Sequence, residues 1–397
     1  MIKGIAAVSL LLLSSTTLAQ GKNEKRWDVA EPPLKTQSVP IDVDEGTWMN
    51  LDVSPDGRIV AFDLLGDIYT MPISGGRATR IASGLPFEVQ PRFSPDGRQI
   101  AFTSDRGGGD NIWIMNVDGS GKRPLTKETF TLLNNPTWSP DGRFIAARKH
   151  FTTQRSAGTG EIWMYHVGGG NGMALVERPN PQHQKELGEP IFAPDGEAIY
   201  FSRDTTPGGT FEYAQNSNSQ VFAIERYDIE TGERETVAGG PGGAVRPAPS
   251  PDGRWLAYVH RDRARSKLYV KDLRTGEERK LYDELDQDMQ ETWAITGVYP
   301  NMDWTTDSRS ILFWAGGKIR RINVDGTGAA VIPFQVSDSR EVVDPPRPQV
   351  EVWKETFTTK MPRFATVSPD GNRVVFASLG RLYLNDKGRG PRGGLVP

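Results

Sequence analysis

Cysteine is absent from the 397 residues. That excludes disulfides, a lipid anchor on an N-terminal cysteine and thiolate metal sites. Histidine is scarce. The four copies, His150, His166, His183 and His260, lie far apart with no His-x-His pair and no His-Glu-x-x-His motif. Neither pattern of a hydrolytic metal centre can be assembled from them, so no metal site and no cofactor are expected. A Gly-x-Ser-x-Gly elbow is missing as well, which removes the usual serine-hydrolase nucleophile. Basic excess is missing too: 47 Lys and Arg stand against 50 Asp and Glu, a net charge of −3. A nucleic-acid backbone finds no attracting field on such a chain, so nucleic acid is not an expected partner.

Long apolar runs are confined to the start of the chain. Lys3 gives a positive beginning, Ile5 to Leu13 form a short apolar stretch, and Thr17-Leu18-Ala19 ends in small residues. This pattern reads as a signal peptide cleaved after Ala19, too short to span a bilayer comfortably. The expectation is a periplasmic or secreted protein with no membrane span, followed by a flexible segment over 20–37.

Turn-formers, by contrast, are abundant, with 43 Gly and 29 Pro. They mark a repeat. Ser54-Pro55-Asp56-Gly57-Arg58 is followed by the apolar Ile59-Val60-Ala61-Phe62, and the signature returns at Ser94, Ser139, Ala193 and Ser250. A degenerate copy, Thr305-Thr306-Asp307-Ser308, and a last one, Ser368-Pro369-Asp370-Gly371, complete the set. Proline presets φ, aspartate bonds its own backbone and glycine accepts positive φ, so each signature is a hairpin turn between two short strands, a and b. A third strand follows in each unit, as in Asp67-Ile68-Tyr69, Asn111-Ile112-Trp113 and Lys267-Leu268-Tyr269, and a fourth in segments such as Ala78-Thr79-Arg80-Ile81. Four short strands per unit predict an all-β β-propeller of about seven four-stranded blades over 38–386, with six or eight also compatible. The seventh unit has no fourth strand, and the strand-like Ser38 to Val43 is expected to supply it and close the ring. The tail from Lys387 to Pro397 falls outside the pattern and reads as disordered or aberrant.

The turn is constant in length, whereas the b–c loop varies from Asp56–Asp67 to the long stretch Asp195–Gln220. Function is therefore expected on the face opposite the turns, where the b–c loops and the links to the next blade lie. The turn aspartates recur because of turn geometry and are not read as ligands. Gly119-Ser120-Gly121-Lys122 lacks the spacing of a phosphate loop and reads as a plain turn. On the loop face, the long fourth-unit loop carries Phe211 and Tyr213, and a second loop carries His150, Phe151 and Arg155. Residues leading into the a strands should ring the mouth of the channel: Arg92 beside Gln90, Asn135 beside Asn134, Glu189, Arg246, Asp303 beside Asn301, and Arg363 beside Lys360. Mixed charge there suits a peptide or small polar ligand.

The units resemble the TolB-type β-propeller repeat, with its Ser-Pro-Asp-Gly-Arg turn followed by an apolar strand. Asp67 to Gly76 and Phe102-Thr103-Ser104-Asp105-Arg106 are similar to the N-terminal propeller portion of secreted bacterial amidohydrolase-type proteins. The resemblance implies the fold. For function the expectation is an exported, non-enzymatic propeller that binds a protein, peptide or small polar ligand through loop face and funnel. The alternative is the propeller portion of a larger metal-dependent amidohydrolase, whose His-x-His chemistry this chain does not carry.

Overall fold

The computed structural model describes residues 28–386 apart from 153–157, 214, 217, 345–349 and 351. The proposed signal peptide, Arg155 and the tail from Lys387 lie outside the described residues. The chain divides into two compact units, Met1–Asp344 and Pro345–Pro397.

The first unit holds six four-stranded antiparallel sheets over 51–82, 88–124, 132–176, 187–238, 244–282 and 303–332, each of strands consecutive in sequence except that Gly76–Arg77 within the first pairs instead with Phe334–Gln335. We number them blades 1 to 6 and letter their strands a to d. The hairpin turns form as the sequence dictates. Ser94 donates its hydroxyl to Asp96 at 2.6 Å and accepts the Gln99 amide at 2.9 Å, while Gly97 sits at φ 68°. The degenerate copy keeps this geometry with other atoms: Thr305 donates to Asp307 at 2.6 Å, and Ser308 takes the left-handed conformation at φ 59°. The local chemistry that matters is a hydroxyl followed two residues later by aspartate.

Apolar residues of the inner strands pack between successive blades. Ala61 and Ile68 of blade 1 meet Phe93 and Phe102 of blade 2, and Ile112 and Leu125 of blade 2 meet Ile145 and Tyr165 of blade 3. Equivalent clusters join blades 3 to 4 and 4 to 5, and the largest joins blades 5, 6 and 1. Indole nitrogens tie strands a together, with Trp138 donating to Arg92 O at 3.1 Å and Trp304 to Ala248 O at 2.9 Å.

Blade 6 meets blade 1 directly. The Val53 amide donates to Asp303 at 2.8 Å, the Asn301 amide to Asn50 at 3.0 Å, and Trp314 to Gly46 O at 2.7 Å. The ring thus closes on six sheets, within the range the repeat allows. The strand before blade 1, Thr36–Val43, pairs antiparallel along its whole length with Phe334–Val343, the strand after blade 6. It was expected to complete the seventh unit. It clasps the seam between first and last blades instead, because Phe334 and Val336 are buried there and Phe334 lies 5.3 Å from Phe62 of blade 1.

The second unit contains the seventh repeat as a three-stranded sheet, Arg363–Val367, Arg373–Ser378 and Arg381–Asp386. Its turn repeats the Ser368–Asp370 bond. Phe364, Val367 and Leu379 are exposed on it.

Candidate functional site

Four of the a strands carry an X-Pro step at the same place, and in each the residue before proline is left-handed: Gln90 (φ 59°), Asn135 (φ 52°), Glu189 (φ 57°) and Arg246 (φ 56°). A bulge accompanies each one. Bulges re-aim side chains, and these four turn inward to the ring axis. Counting four residues back from the first residue of each turn in the first unit gives Asn50, Gln90, Asn135, Glu189, Arg246 and Asn301. All six are buried, at 5% exposure or less.

They form one hydrogen-bonded network. Gln90 Nε2 donates to Asn135 Oδ1 at 3.2 Å, and the Asn135 amide donates back to Gln90 Oε1 at 2.8 Å. Arg246 Nη1 reaches from blade 5 to Asn135 Oδ1 of blade 3 at 3.0 Å and also donates to Asn301. Its Nη2 pairs with Glu189 at 2.9 Å. Burial pulls the Arg246 guanidinium down to about 10, opposed by the charge of Glu189. Asp63 accepts from the amides of Asn50 and Gln90, both at 2.8 Å, yet desolvation raises its carboxyl to about 6.

Two residues further along each strand lies a second tier. Arg92 Nη1 donates to Asp52 at 2.7 Å, and Asp303 stands beside Asp52 across the seam. Desolvation first, then the charge of Asp52, pushes Asp303 up to about 7.

The mouth above this network is covered by the link from blade 5 to blade 6, residues 283–302, which we call the strap. The axis side chains hold its main chain. Gln90 Nε2 donates to Thr296 O at 2.6 Å, Asn134 donates to Ile295 O at 2.9 Å, and Arg246 Nε donates to Tyr299 O at 2.6 Å. Glu189 Oε1 accepts the Val298 amide at 2.5 Å. Further out, Arg261 grips Asp288 and Glu291 of the strap. Gly297, at φ 120°, is required here: a Cβ would stand 2.2 Å from Arg246 Nη2. His150, expected on the loop surface, is fully buried against Trp293 of the strap with ring centroids 5.4 Å apart. Burial, and then Arg148 and Arg178, lower its imidazole to about 2, so it stays neutral.

The structure therefore brings Arg92, Asn135, Glu189, Arg246 and Asp303 together at the axis, beneath the strap. Arg363 lies exposed in the second unit. Phe211 and Tyr213 stand on the long b–c loop of blade 4 as a perpendicular pair, centroids 4.8 Å apart, with Tyr213 75% exposed. Sequence reasoning missed three more exposed apolar side chains on the same face. Leu65 occupies the b–c turn of blade 1, while Phe87 and Phe130 lie in the links into blades 2 and 3. Single aromatics within polar links were the available signal. It also missed the strap, whose sign was Trp293, Val298 and Tyr299 in an unusually long d–a link.

Six sheets in sequence order, the bulged a strands and the turn chemistry decide the architecture. It is a β-propeller whose fold is similar to the TolB type. A profile of the TolB beta propeller domain matches residues 34–209. The Tol-Pal system protein TolB of Francisella tularensis subsp. mediasiatica is 28% identical over 225 residues, covering 54% of this chain and 44% of that protein. Tricorn protease homolog 1 of Streptomyces coelicolor is 35% identical over 92 residues, 23% of this chain and 9% of its own. The crystal structure of TolB from Acinetobacter baumannii superposes with a TM-score of 0.53 at 17% identity, covering 74% of this chain and 64% of that one, a likeness of fold. The propeller chain spans less than half the length of the curated relatives it matches.

Among the described residues, no helix is long and apolar enough to cross a membrane.

Proposed function

We propose that the chain is an exported, non-catalytic propeller that binds a protein or peptide through its loop face. The observation that carries this reading is the set of exposed rings on that face, Phe87, Phe130 and Tyr213, at 54%, 80% and 75% exposure. Rigid aromatics on a polar rim contribute contact area at small entropic cost. Phe211 and Tyr213 are the contacts assigned from the fourth-blade loop. Arg92, Asn135, Glu189, Arg246 and Asp303 act beneath them as the framework that holds the strap and the loops in place. Photo-crosslinkers at Phe130 and Tyr213, with one at Val331 on the outer strand of blade 6 as control, test the reading in the native cell. A discrete adduct from the loop-face positions, abolished by Phe211→Ala with Tyr213→Ala, is expected. Equal labelling from Val331, or none from any position, overturns it.

A second reading, the propeller portion of a larger metal-dependent amidohydrolase, draws support from the repeat resemblance and from the small share of each relative that the chain spans. An open frame encoding a His-x-His motif beyond codon 397 favours it over the first.

A further inference from the structure

Away from axis and loop face, a cleft of about 730 Å³ opens on the outer wall between blades 2 and 3. Its volume falls within the range that holds small ligands, about 300–1,000 Å³. It exists because strand d of blade 2 is only two residues long, Arg123–Pro124, which leaves strand c of blade 3 uncovered at its outer end. The floor is Trp163 and Tyr165, rings nearly parallel with centroids 6.4 Å apart. Lys149 lies 4.0 Å over the indole and bonds Glu128 at 2.8 Å, so this cation and this carboxylate neutralise each other. Arg123 and Lys127 are exposed at the rim, and among the described residues neither has an acidic partner. Among the described residues the Arg123 side chain donates only to the Val167 carbonyl, at 3.2 Å. The opposite rim is the glycine-rich turn 168–172.

One feature of the floor calls for a ligand group. Tyr165 is 2% exposed, yet among the described residues its hydroxyl has no hydrogen-bond partner. A buried donor left unpaired costs about 1–3 kcal/mol. The Gly172 turn packs on the ring and seals the hydroxyl from solvent, so a ligand oxygen supplies the acceptor only where that turn moves aside. Burial, reinforced by the charges of Glu128 and Glu161, raises its ionisation well above the usual phenol range, so it remains a donor.

From this combination we propose that the cleft binds an acidic saccharide. The partly buried indole carries Lys149 over its ring and leaves its remaining exposed part to the C–H face of a sugar, whereas two unneutralised cations at one rim suit a carboxylate. The Tyr165 hydroxyl complements a ring hydroxyl, while the Gly168 and Gly169 amides of the turn are already held by His166. A bare inorganic anion would use the cations and leave the aromatic floor idle. A neutral sugar would leave the cations idle.

Indole fluorescence and calorimetry on the full chain test the site with three probes: a uronate disaccharide, a neutral disaccharide and inorganic phosphate. Saturable binding of the uronate, at least about tenfold tighter than either other probe, is expected. The surface pair Arg123→Glu with Lys127→Glu should weaken it by about tenfold or more without moving the melting temperature. Trp163→Phe should remove the fluorescence response, and Phe211→Ala with Tyr213→Ala on the loop face should leave binding untouched. Phosphate binding as tightly as the uronate would overturn the saccharide assignment. Equal affinity for the neutral sugar, no saturation with the uronate, or indifference to the charge-reversed pair would overturn the site.

Discussion

Glu189 and Arg246 hold the same place in successive repeats and meet at the ring axis, Oε1 to Nη2 at 2.9 Å, with side chains 2% and 4% exposed. The pair does more than neutralise charge. Glu189 also accepts the Arg246 and Val298 amides, and Arg246 also donates to Tyr299 O. Blades 4 and 5 and the strap are therefore joined through two side chains. Removing one partner leaves a buried charge uncompensated, which costs about 3–5 kcal/mol. Arg246→Met and Glu189→Gln should each lower stability by about that amount in denaturant melts, and the strap should become cleavable near Ile295 in limited proteolysis. A loss under about 1 kcal/mol, with the strap still protected, would show that the axis network is not what holds it.

The carboxyls at the axis give stability a pH slope of predictable sign. Asp303 is raised to about 7 and Asp63 to about 6, from an ordinary value of 3.8. A carboxyl that is harder to ionise in the folded state than in the unfolded chain contributes stability that is full below about 4 and lost as pH rises through its folded value. The turn aspartates act oppositely. Serine and backbone bonds lower Asp141 and Asp370 to about 2, so their contribution is present above the ordinary value and lost as pH falls through about 2. Between about pH 4 and 7 the axis groups decide, and the ring should lose stability with rising pH across that window. Asp303→Asn cannot ionise. Its denaturation midpoint relative to the native chain should therefore improve between pH 5 and pH 8, whatever its absolute stability. Parallel curves for the two proteins would rule out Asp303 as the titrating group.

The repeat and the axis are both legible in the sequence, for the same reason. Turn chemistry is local, and strand alternation fixes which residues four and two positions upstream face the centre. That is why Arg92, Asn135, Glu189, Arg246 and Asp303 could be grouped from spacing alone. Even the degenerate copy at Thr305 was recognisable, since hydroxyl and aspartate survive in it. What the residues between repeats do depends on distant partners. Nothing near Val298 announces that its amide is accepted by Glu189, and Thr36–Val43 shows an alternation that many partner strands would satisfy. Arg363 illustrates the same limit: its repeat obeys the same local rules as the other six, yet it lies in the second unit. The cleft between blades 2 and 3 escaped notice because it arises from a strand that is short, and a short strand leaves little trace in a hydrophobic pattern.

The seam between blades 1 and 6 yields the sharpest test of how the ring is kept shut. Ser38 lies opposite Glu341 in the antiparallel clasp, and both are exposed. Opposed residues in such a ladder stand about 4.5–5.5 Å apart at Cα, within reach of a disulfide. Because the chain has no cysteine of its own, Ser38→Cys with Glu341→Cys can form only the intended crosslink within one molecule. If the clasp holds the seam, oxidation should raise the melting temperature, with a gain of about 2–4 kcal/mol over the reduced form. Phe334→Ala, which withdraws a buried ring from Phe62, should act in the other direction by about 3–5 kcal/mol. The two effects should also be coupled. With the crosslink closed, Phe334→Ala should slow less of the refolding and open less of the seam to proteolysis than it does in the reduced protein. Strict additivity of crosslink and Phe334→Ala, or no change in melting on oxidation, would mean that the contacts of Val53, Asp303, Asn50 and Asn301 close the ring without help from the clasp.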